Sequence, residues 1–418
     1  GTMERSDDWK EYYKIAEEYA GKVISEGKHS LTRSFRQVWV DECSWIVPVG
    51  DDNIFDVPAK VGGSGELAYS WGTYIVSSKN SEGVNASNAP HGYSSGGARL
   101  ALTYLLSFDR EDLRRDITCE IFRYENSGMS SIIQKPFSEL NVGCGKWNRL
   151  FMESPLGSTS NKGTGINYTY MRYADVLLMY AEAANENHGG PTTEAKDALK
   201  QVRKRAFAEK DHAEKVEAYV DALGTKEDFF NAIVQERAWE FGGEGVRKMD
   251  LIRWGLLDSK IEAMKESLCL MLDNQHPVTI FDKTYQPSDF PTVLYYKMRT
   301  DDKLYVDYSS PNYYQELGTA PAGYEKIDWF PKTYAKPETG SGTTYRDELA
   351  KILVMATGIN ASYDYSALLG KLKNGGEIGD MLKQYPIGNG TCNYRHPYAI
   401  YDTDIYQSKG FLVNSYGY

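Results

Sequence analysis

Glu236 and Glu240, four residues apart with Arg237 beside the first, sit in a stretch that continues to Asp250 and Arg253, and an earlier stretch carries Arg172, Asp175 and Glu182. Carboxylates and guanidinium groups at such spacings could do acid/base chemistry. Glycoside hydrolysis in particular needs two carboxyl groups opposed across a cleft. The chain holds 58 acidic residues, so some such pair always exists and no spacing marks one out. Positions 236, 237 and 240 fall among apolar residues at helical spacing, a setting in which fork-shaped Arg donors meet carboxylates between packed helices. All eight residues are therefore expected to be structural ion pairs, and no catalytic residue is assigned. Gly92-Tyr93-Ser94-Ser95-Gly96 matches the G-x-S-x-G esterase pattern, but a loop composition precedes it where an apolar strand is required. The six histidines are scattered, without metal-ligand spacing. Asp51-Asp52-Asn53 and Asp56 supply hard oxygen ligands without the spacing of a calcium loop, and read as a solvated acidic loop. No cofactor is expected, and no ligand pattern supports calcium.

Sugar recognition asks for a different constellation, an aromatic platform edged by amides and charges. The chain has 32 Tyr against 14 Phe, with 8 Trp, and tyrosine combines an apolar face with a hydrogen-bonding tip. Most of these tyrosines are expected to fill seams of a loop-rich fold. The best platform candidate is Tyr69-x-Trp71-x-x-Tyr74, with Tyr93 near it in sequence and Asn85, Asn88 and Arg99 as polar companions. Alternation along an extended segment would put Tyr69 and Trp71 on one side. Burial in a core is the competing expectation for Trp71, because large aromatics are mostly buried. Tyr295-Tyr296 and Tyr313-Tyr314 are further aromatic pairs.

Composition bounds the class. A chain of 418 residues with 41% hydrophobic and 25% charged residues can build a substantial core. Its net charge of −11 and lack of basic clusters argue against nucleic acid and against direct adhesion to anionic membranes. The five cysteines, Cys43, Cys119, Cys144, Cys269 and Cys392, show no C-x-x-C spacing and no disulfide framework, although any pair could bridge in an oxidising compartment. No run of 18 apolar residues occurs and no signal peptide opens the chain. Gly1-Thr2-Met3 looks like a vector remnant, so the absence of a targeting signal does not argue for the cytoplasm.

The elements that must position these residues are mostly helical. A helix is expected over 8–27, stopped by Gly27. From 38 to 165 the periodicity collapses into long loops, with short strands at Val38-Trp39-Val40 and Trp45-Ile46-Val47 and one helical island from Ala98 to Phe108. Helices resume at 168–187, where Tyr173, Val176, Leu177, Tyr180, Ala181 and Ala184 form one stripe, and at 193–209. Thr225-x-x-Asp228 opens a helix through Phe241, and a last helix spans 246–268. Beyond 270, proline and glycine punctuation argues for loops packed onto the helices. The fold class is mostly α: tetratricopeptide-like helix pairs packed against a loop-rich region with small β elements. Residues 1–37 and 166–268 form the helical scaffold, and residues 38–165 and 269–418 form the loop-rich, ligand-binding part of one compact unit.

Two segments, Tyr170-Met171-Arg172-Tyr173-Ala174-Asp175-Val176-Leu177-Leu178-Met179-Tyr180-Ala181-Glu182-Ala183-Ala184-Asn185-Glu186 and Ile233 to Gly255, together resemble the two signature helices of the SusD/RagB family of glycan-binding outer-membrane lipoproteins. Asp8 to Leu31 resembles a unit that lies inside the family chain, so the N-terminal part of the family fold is expected to be missing here. The closing Asn414-Ser415-Tyr416-Gly417-Tyr418 resembles the family's end. One departure is Tyr385-Pro386-Ile387-Gly388-Asn389-Gly390, where the family usually carries P-I-P-x-x-E. The resemblance implies a SusD-like fold and non-catalytic capture of an oligosaccharide or polysaccharide at the cell surface. It also implies delivery to a SusC-like TonB-dependent transporter, and an N-terminal lipid anchor to the outer membrane. The alternatives are a tetratricopeptide-like scaffold for a protein or peptide and, third, a glycoside hydrolase.

Overall fold

The computed structural model describes residues 7–76, 92–127, 131–136, 142–152, 162–273, 277–290, 293–298, 304–306 and 318–328. Asn85, Asn88, Tyr313-Tyr314, the 385–390 segment and the closing residues 414–418 lie outside them. In chain order the elements are α1 (Trp9–Glu26), α2 (Phe35–Cys43), β1 (Asn53–Val57), β2 (Arg99–Leu100), α3 (Leu102–Ser107), α4 (Arg115–Thr118), β3 (Cys119–Glu120), β4 (Phe122–Ser127), β5 (Ser131–Pro136) and β6 (Val142–Cys144). There follow β7 (Tyr168–Arg172), α5 (Tyr173–His188), α6 (Thr193–Ala206), α7 (Tyr219–Ala222), α8 (Lys226–Phe241), α9 (Arg247–Arg253), α10 (Leu257–Asp273), β8 (Val278–Ile280), β9 (Lys283–Tyr285), β10 (Val293–Met298), β11 (Leu304–Val306) and β12 (Glu325–Asp328). Among the described residues helices dominate, and the strands form five small antiparallel sheets, ordered β1-β7, β2-β6-β3, β4-β5, β8-β9 and β11-β10-β12.

Asp8–Glu244, with the later strands β10 to β12, belongs to one compact unit. Its central helix is α5, with α1 and α8 packed along it and α6 returning beside it. Helix α1 ends where Gly27 takes the left-handed conformation, φ 63°, and bonds back to Ile24. It can approach α5 closely because Gly21 carries no Cβ; one would stand 3.3 Å from the Tyr180 ring. Tyr13 then donates to Glu182 at 2.9 Å, and Asn187 to Glu17 at 2.6 Å. Thr192 caps α6 by accepting from Ala195, and Thr225 caps α8 by accepting from Asp228. On α6 the expected face of Ala195, Ala198, Leu199, Val202 and Ala206 is buried throughout. On α5, burial extends beyond the expected stripe to Ala174, Leu178, Glu182, Ala183 and Asn185, because neighbouring helices cover it from several sides.

Several local expectations are corrected. Val38-Trp39-Val40 is not a strand but the middle of α2, whose N-terminus is capped by Ser34 accepting from Gln37. Trp39 goes into the core, stacked edge-on to Trp147 at 5.2 Å. Trp45-Ile46-Val47 forms no strand: Trp45 turns the chain with φ 59° and donates its indole N–H to Thr164 O. The 98–108 island starts as a strand, β2, and becomes helical only at Leu102. Residues 168–172 are likewise a strand, because Tyr-Thr-Tyr pairs with β1 before α5 begins.

In the second unit, which includes Gly245–Phe290, the expected helix over 246–268 is broken into α9 and α10 by Gly255 at φ 67°. A small core of Leu251, Ile252 and Leu257 joins the two, with Trp254, Leu256 and Ile261 packed against it. Among the described residues no helix is long and apolar enough to cross a membrane. Cys43, Cys119 and Cys144 are free thiols, all buried.

Candidate functional site

The charged residues of the two signature segments are absorbed into buried ion pairs. Arg172, the last residue of β7, reaches Asp52 at 2.7 Å, Glu240 at 2.8 Å and Glu244 at 2.8 and 2.9 Å. Arg114 joins Asp112, Glu236 and Glu240 at 2.7, 2.7 and 3.2 Å. Arg203 holds Glu236 at 2.6 Å, Arg205 holds Asp52 at 2.8 Å and Glu240 at 2.6 Å, and Lys146 holds Glu244 at 2.5 Å. The five carboxylates Asp52, Asp112, Glu236, Glu240 and Glu244 thus meet five cations, so the buried charge cancels within the cluster. Burial alone would raise the Glu240 carboxyl, but Arg205, Arg172 and Arg114 outweigh it and hold it far below the usual carboxylate range. Asp52 is lowered for the same reasons. It also accepts from the Ala174 N–H at 3.0 Å, so it closes the N-terminus of α5.

Of the remaining signature residues, Asp175 pairs with Arg237 at 2.5 Å and Glu182 accepts from Tyr13. In the second unit Asp250 pairs with Arg253 at 3.0 Å, and the Arg253 guanidinium lies over the Trp254 ring. Reasoning from sequence did not single out Asp112, Arg114, Lys146, Arg203, Arg205 or Glu244. For Arg203 and Arg205 a signal was present, since they adjoin Val202 and Ala206 on the buried face of α6. Asp51, Asp52 and Asn53 are buried, which corrects the solvated acidic loop. The ionic cluster needs Asp52 inside, and Asp51 accepts from Arg33 at 2.7 Å. Among the described residues no group of three or more His, Cys, Asp or Glu side chains is arranged to hold a metal ion.

One buried carboxyl stands outside this balance. Glu42, at the end of α2, accepts from Asn53 at 2.8 Å, and the same amide lies 3.3 Å from both oxygens of Asp56. Burial, then the Asp56 charge, push Glu42 from its ordinary 4.5 up to about 7. Between those two values the folded chain keeps a proton that the unfolded chain releases, so stability falls as pH rises through that window, by at most about 3 kcal/mol. Glu42→Gln is expected to remove this loss. Urea unfolding at pH 5 and pH 8 should show a smaller drop for the variant than for the wild type, and equal drops would refute the assignment.

The candidate platform is built on a short π-helical turn, Leu67–Trp71. Ala68 anchors this turn in the core of Phe35, Trp39, Trp147 and Ile166. Gly72 follows because a Cβ there would fall 1.6 Å from the Trp147 carbonyl oxygen. The next residues are stitched on both sides: Thr73 N–H to Trp147, Ile75 to Ser94, and Val76 to Tyr124. The segment is therefore not extended at Tyr69 and Trp71, which corrects their expected shared side. Two positions on a helical turn point nearly opposite ways. Tyr69 meets Tyr93 edge-on, ring centroids 5.6 Å apart, and a hydrogen bond between the two hydroxyls, helped by burial, raises the Tyr69 phenol. Lys162 lies over the Tyr69 ring at 5.4 Å, and the Arg99 guanidinium over Tyr74 at 5.4 Å. Trp71 stands apart, 40% exposed, its indole N–H donating to the Gly243 carbonyl at 2.6 Å. The Ser94 hydroxyl is buried and donates to the Thr73 carbonyl, so it is spent on the scaffold. Tyr295 is buried in β10, while the Tyr296 hydroxyl donates to Glu325 at 2.8 Å.

Residues 124–328 match the sequence model of the SusD family. Over 111 residues the chain is 40% identical to the SusD-like protein P25 of Formosa agariphila, which is 27% of this chain and 19% of that protein. In shape it is similar to a SusD homolog from Bacteroides thetaiotaomicron, with a TM-score of 0.53 and 22% sequence identity, over 62% of this chain and 51% of that one. The chain thus spans about half of that homolog and about a fifth of the Formosa protein. The tertiary likeness shows the mostly α, SusD-like fold, and residues 124–328 carry the sequence pattern of the SusD family.

Proposed function

We propose that this chain binds an oligosaccharide or polysaccharide without cleaving it, on the outer face of an outer membrane. The observation that carries the reading is the surface around the Leu67–Trp71 turn. Trp71 stands exposed on one side of that turn and the Tyr69-Tyr93 pair on the other, with Lys162 over the Tyr69 ring and Arg99 over Tyr74, and the turn is anchored by Ala68 in the core. Flat rings beside cationic donors suit a ligand with apolar C–H faces and hydroxyl edges. The buried carboxylates Asp52, Asp112, Glu236, Glu240 and Glu244 are all occupied by cations, which supports binding over hydrolysis. The match of residues 124–328 to the SusD family model supports the glycan ligand, a lipid anchor and hand-over to a SusC-like transporter. Affinity electrophoresis in gels containing laminarin, starch, xylan, mannan, pectin or alginate tests the reading. Retardation in at least one gel, without release of reducing sugar, is expected, and free migration in all six would refute it.

A further inference from the structure

The two-stranded sheet β1-β7 is built inside out. Its inward residues are polar: Asn53 faces Arg172 and Asp56 faces Thr169 across the ladder, and Arg172 enters the ionic cluster. Its outward residues are apolar and aromatic. Phe55 is 56% exposed, Val57 48% and Tyr170 61%. A half-covered antiparallel sheet normally turns its apolar side inward and its polar side to water. Here charge has taken the inner side, leaving the apolar side to be covered by something else. The outer rings contact one another edge-on, Phe55 to Tyr170 at 5.9 Å and Tyr170 to Tyr168 at 6.5 Å.

This ladder is tied to the first platform through a single turn. Trp71 donates to the carbonyl of Gly243, and the Tyr168 hydroxyl donates to the carbonyl of the next residue, Glu244, at 3.2 Å. The turn is rigid. Gly243 sits at φ 80°, where a Cβ would meet Cys144 Sγ at 2.5 Å, and a Cβ on Gly242 would meet the Tyr104 hydroxyl oxygen at 1.8 Å. The Glu244 carboxylate is held by Arg172 and Lys146. Two aromatic stations therefore flank one fixed turn, Trp71 on one carbonyl and Tyr168-Tyr170-Phe55 on the other.

We infer that the β1-β7 face is a second sugar-stacking station, and that one linear oligosaccharide crosses the Gly243-Glu244 turn to occupy both. This rests on the glycan reading of the Trp71 platform and adds a chain-length requirement to it. A short oligosaccharide reaches one station, and a long one reaches two. Stacking on one aromatic ring is worth roughly 10- to 100-fold in affinity where a flat ligand has been measured on such rings.

The test uses the 418-residue chain and size-fractionated oligosaccharides cut from whichever of the six polysaccharides retards it. Isothermal titration compares two- or three-unit with six- to eight-unit chains for the wild type, Trp71→Ala and the double variant Phe55→Ser/Tyr170→Ala. Thermal melting verifies that the exposed substitutions leave the fold intact. The wild type is expected to gain roughly tenfold or more with length, and the double variant to lose that gain. If the double variant keeps the length dependence while Trp71→Ala weakens binding, the second station is overturned and the glycan reading stands. If no polysaccharide retards the wild type, both fall. Self-association in sedimentation that Tyr170→Ala removes would give the face to a second copy of the chain and also overturn the inference.

Discussion

Glu240→Gln should unfold the protein more readily than any single surface change, lowering stability by about 3–5 kcal/mol. Glu240 is fully buried, and its carboxylate serves Arg114, Arg172 and Arg205 at 3.2, 2.8 and 2.6 Å. A glutamine keeps the shape and one acceptor but removes the charge, leaving five buried cations against four carboxylates. The desolvation of those guanidinium groups is then uncompensated, and this term dominates over the lost hydrogen bonds. The midpoint of urea unfolding, followed by far-UV circular dichroism, measures it. A loss under about 1 kcal/mol would mean the cluster is solvated in solution and contributes as little as an exposed pair does. The charge balance also sets the acid response: carboxyls held this low stay charged in the folded chain far below the ordinary carboxylate range, and the stability they contribute is lost progressively as the pH falls from that range downward, because the unfolded chain protonates first.

Trp71→Ala carries the largest expected effect on function, a loss of roughly 10- to 100-fold in glycan affinity, equivalent to about 1–3 kcal/mol. The indole is held by its N–H on Gly243 while 40% of the residue stays open to solvent, so its ring is pre-oriented and little entropy is lost on binding. Truncation also removes that hydrogen bond, and stability should drop by only about 1 kcal/mol. Titration with the best-binding oligosaccharide, beside a melting curve, separates the two effects. Wild-type affinity in the variant would exclude Trp71 from the platform and shift attention to the Tyr69-Tyr93 pair.

The helices were legible because burial repeats every 3.6 residues and the caps are local. Gly27, Thr192, Thr225 and Gly189 each end or start a helix through atoms within a few residues of themselves. Helix α2 was misread from β-branched residues beside Trp39, although Ser34-x-x-Gln37 carried a cap signal that the structure uses. The π turn at Leu67–Trp71 left no such signal. Its shape follows from Ala68 docking in a core whose other members are supplied from residues 35–43, 117 and 144–166. The signature charges were legible as ion pairs by their helical spacing, but their partners were not. Arg114 lies 126 residues from Glu240, and Asp52 lies 153 from Arg205.

By itself, then, the sequence determined which residues form the helical frame and the family to which its two signature segments point, because both are written in short-range spacing. Only the tertiary structure decided what the charges do and where aromatic surface is left over. Ten charges from distant segments cancel inside the fold. Because Arg172 of β7 turns inward into that cluster, opposite Asn53, the rings of Phe55 and Tyr170 are left on the outer side of the β1-β7 ladder. That outcome depends on long-range pairing and on one glycine turn, neither of which local propensity specifies.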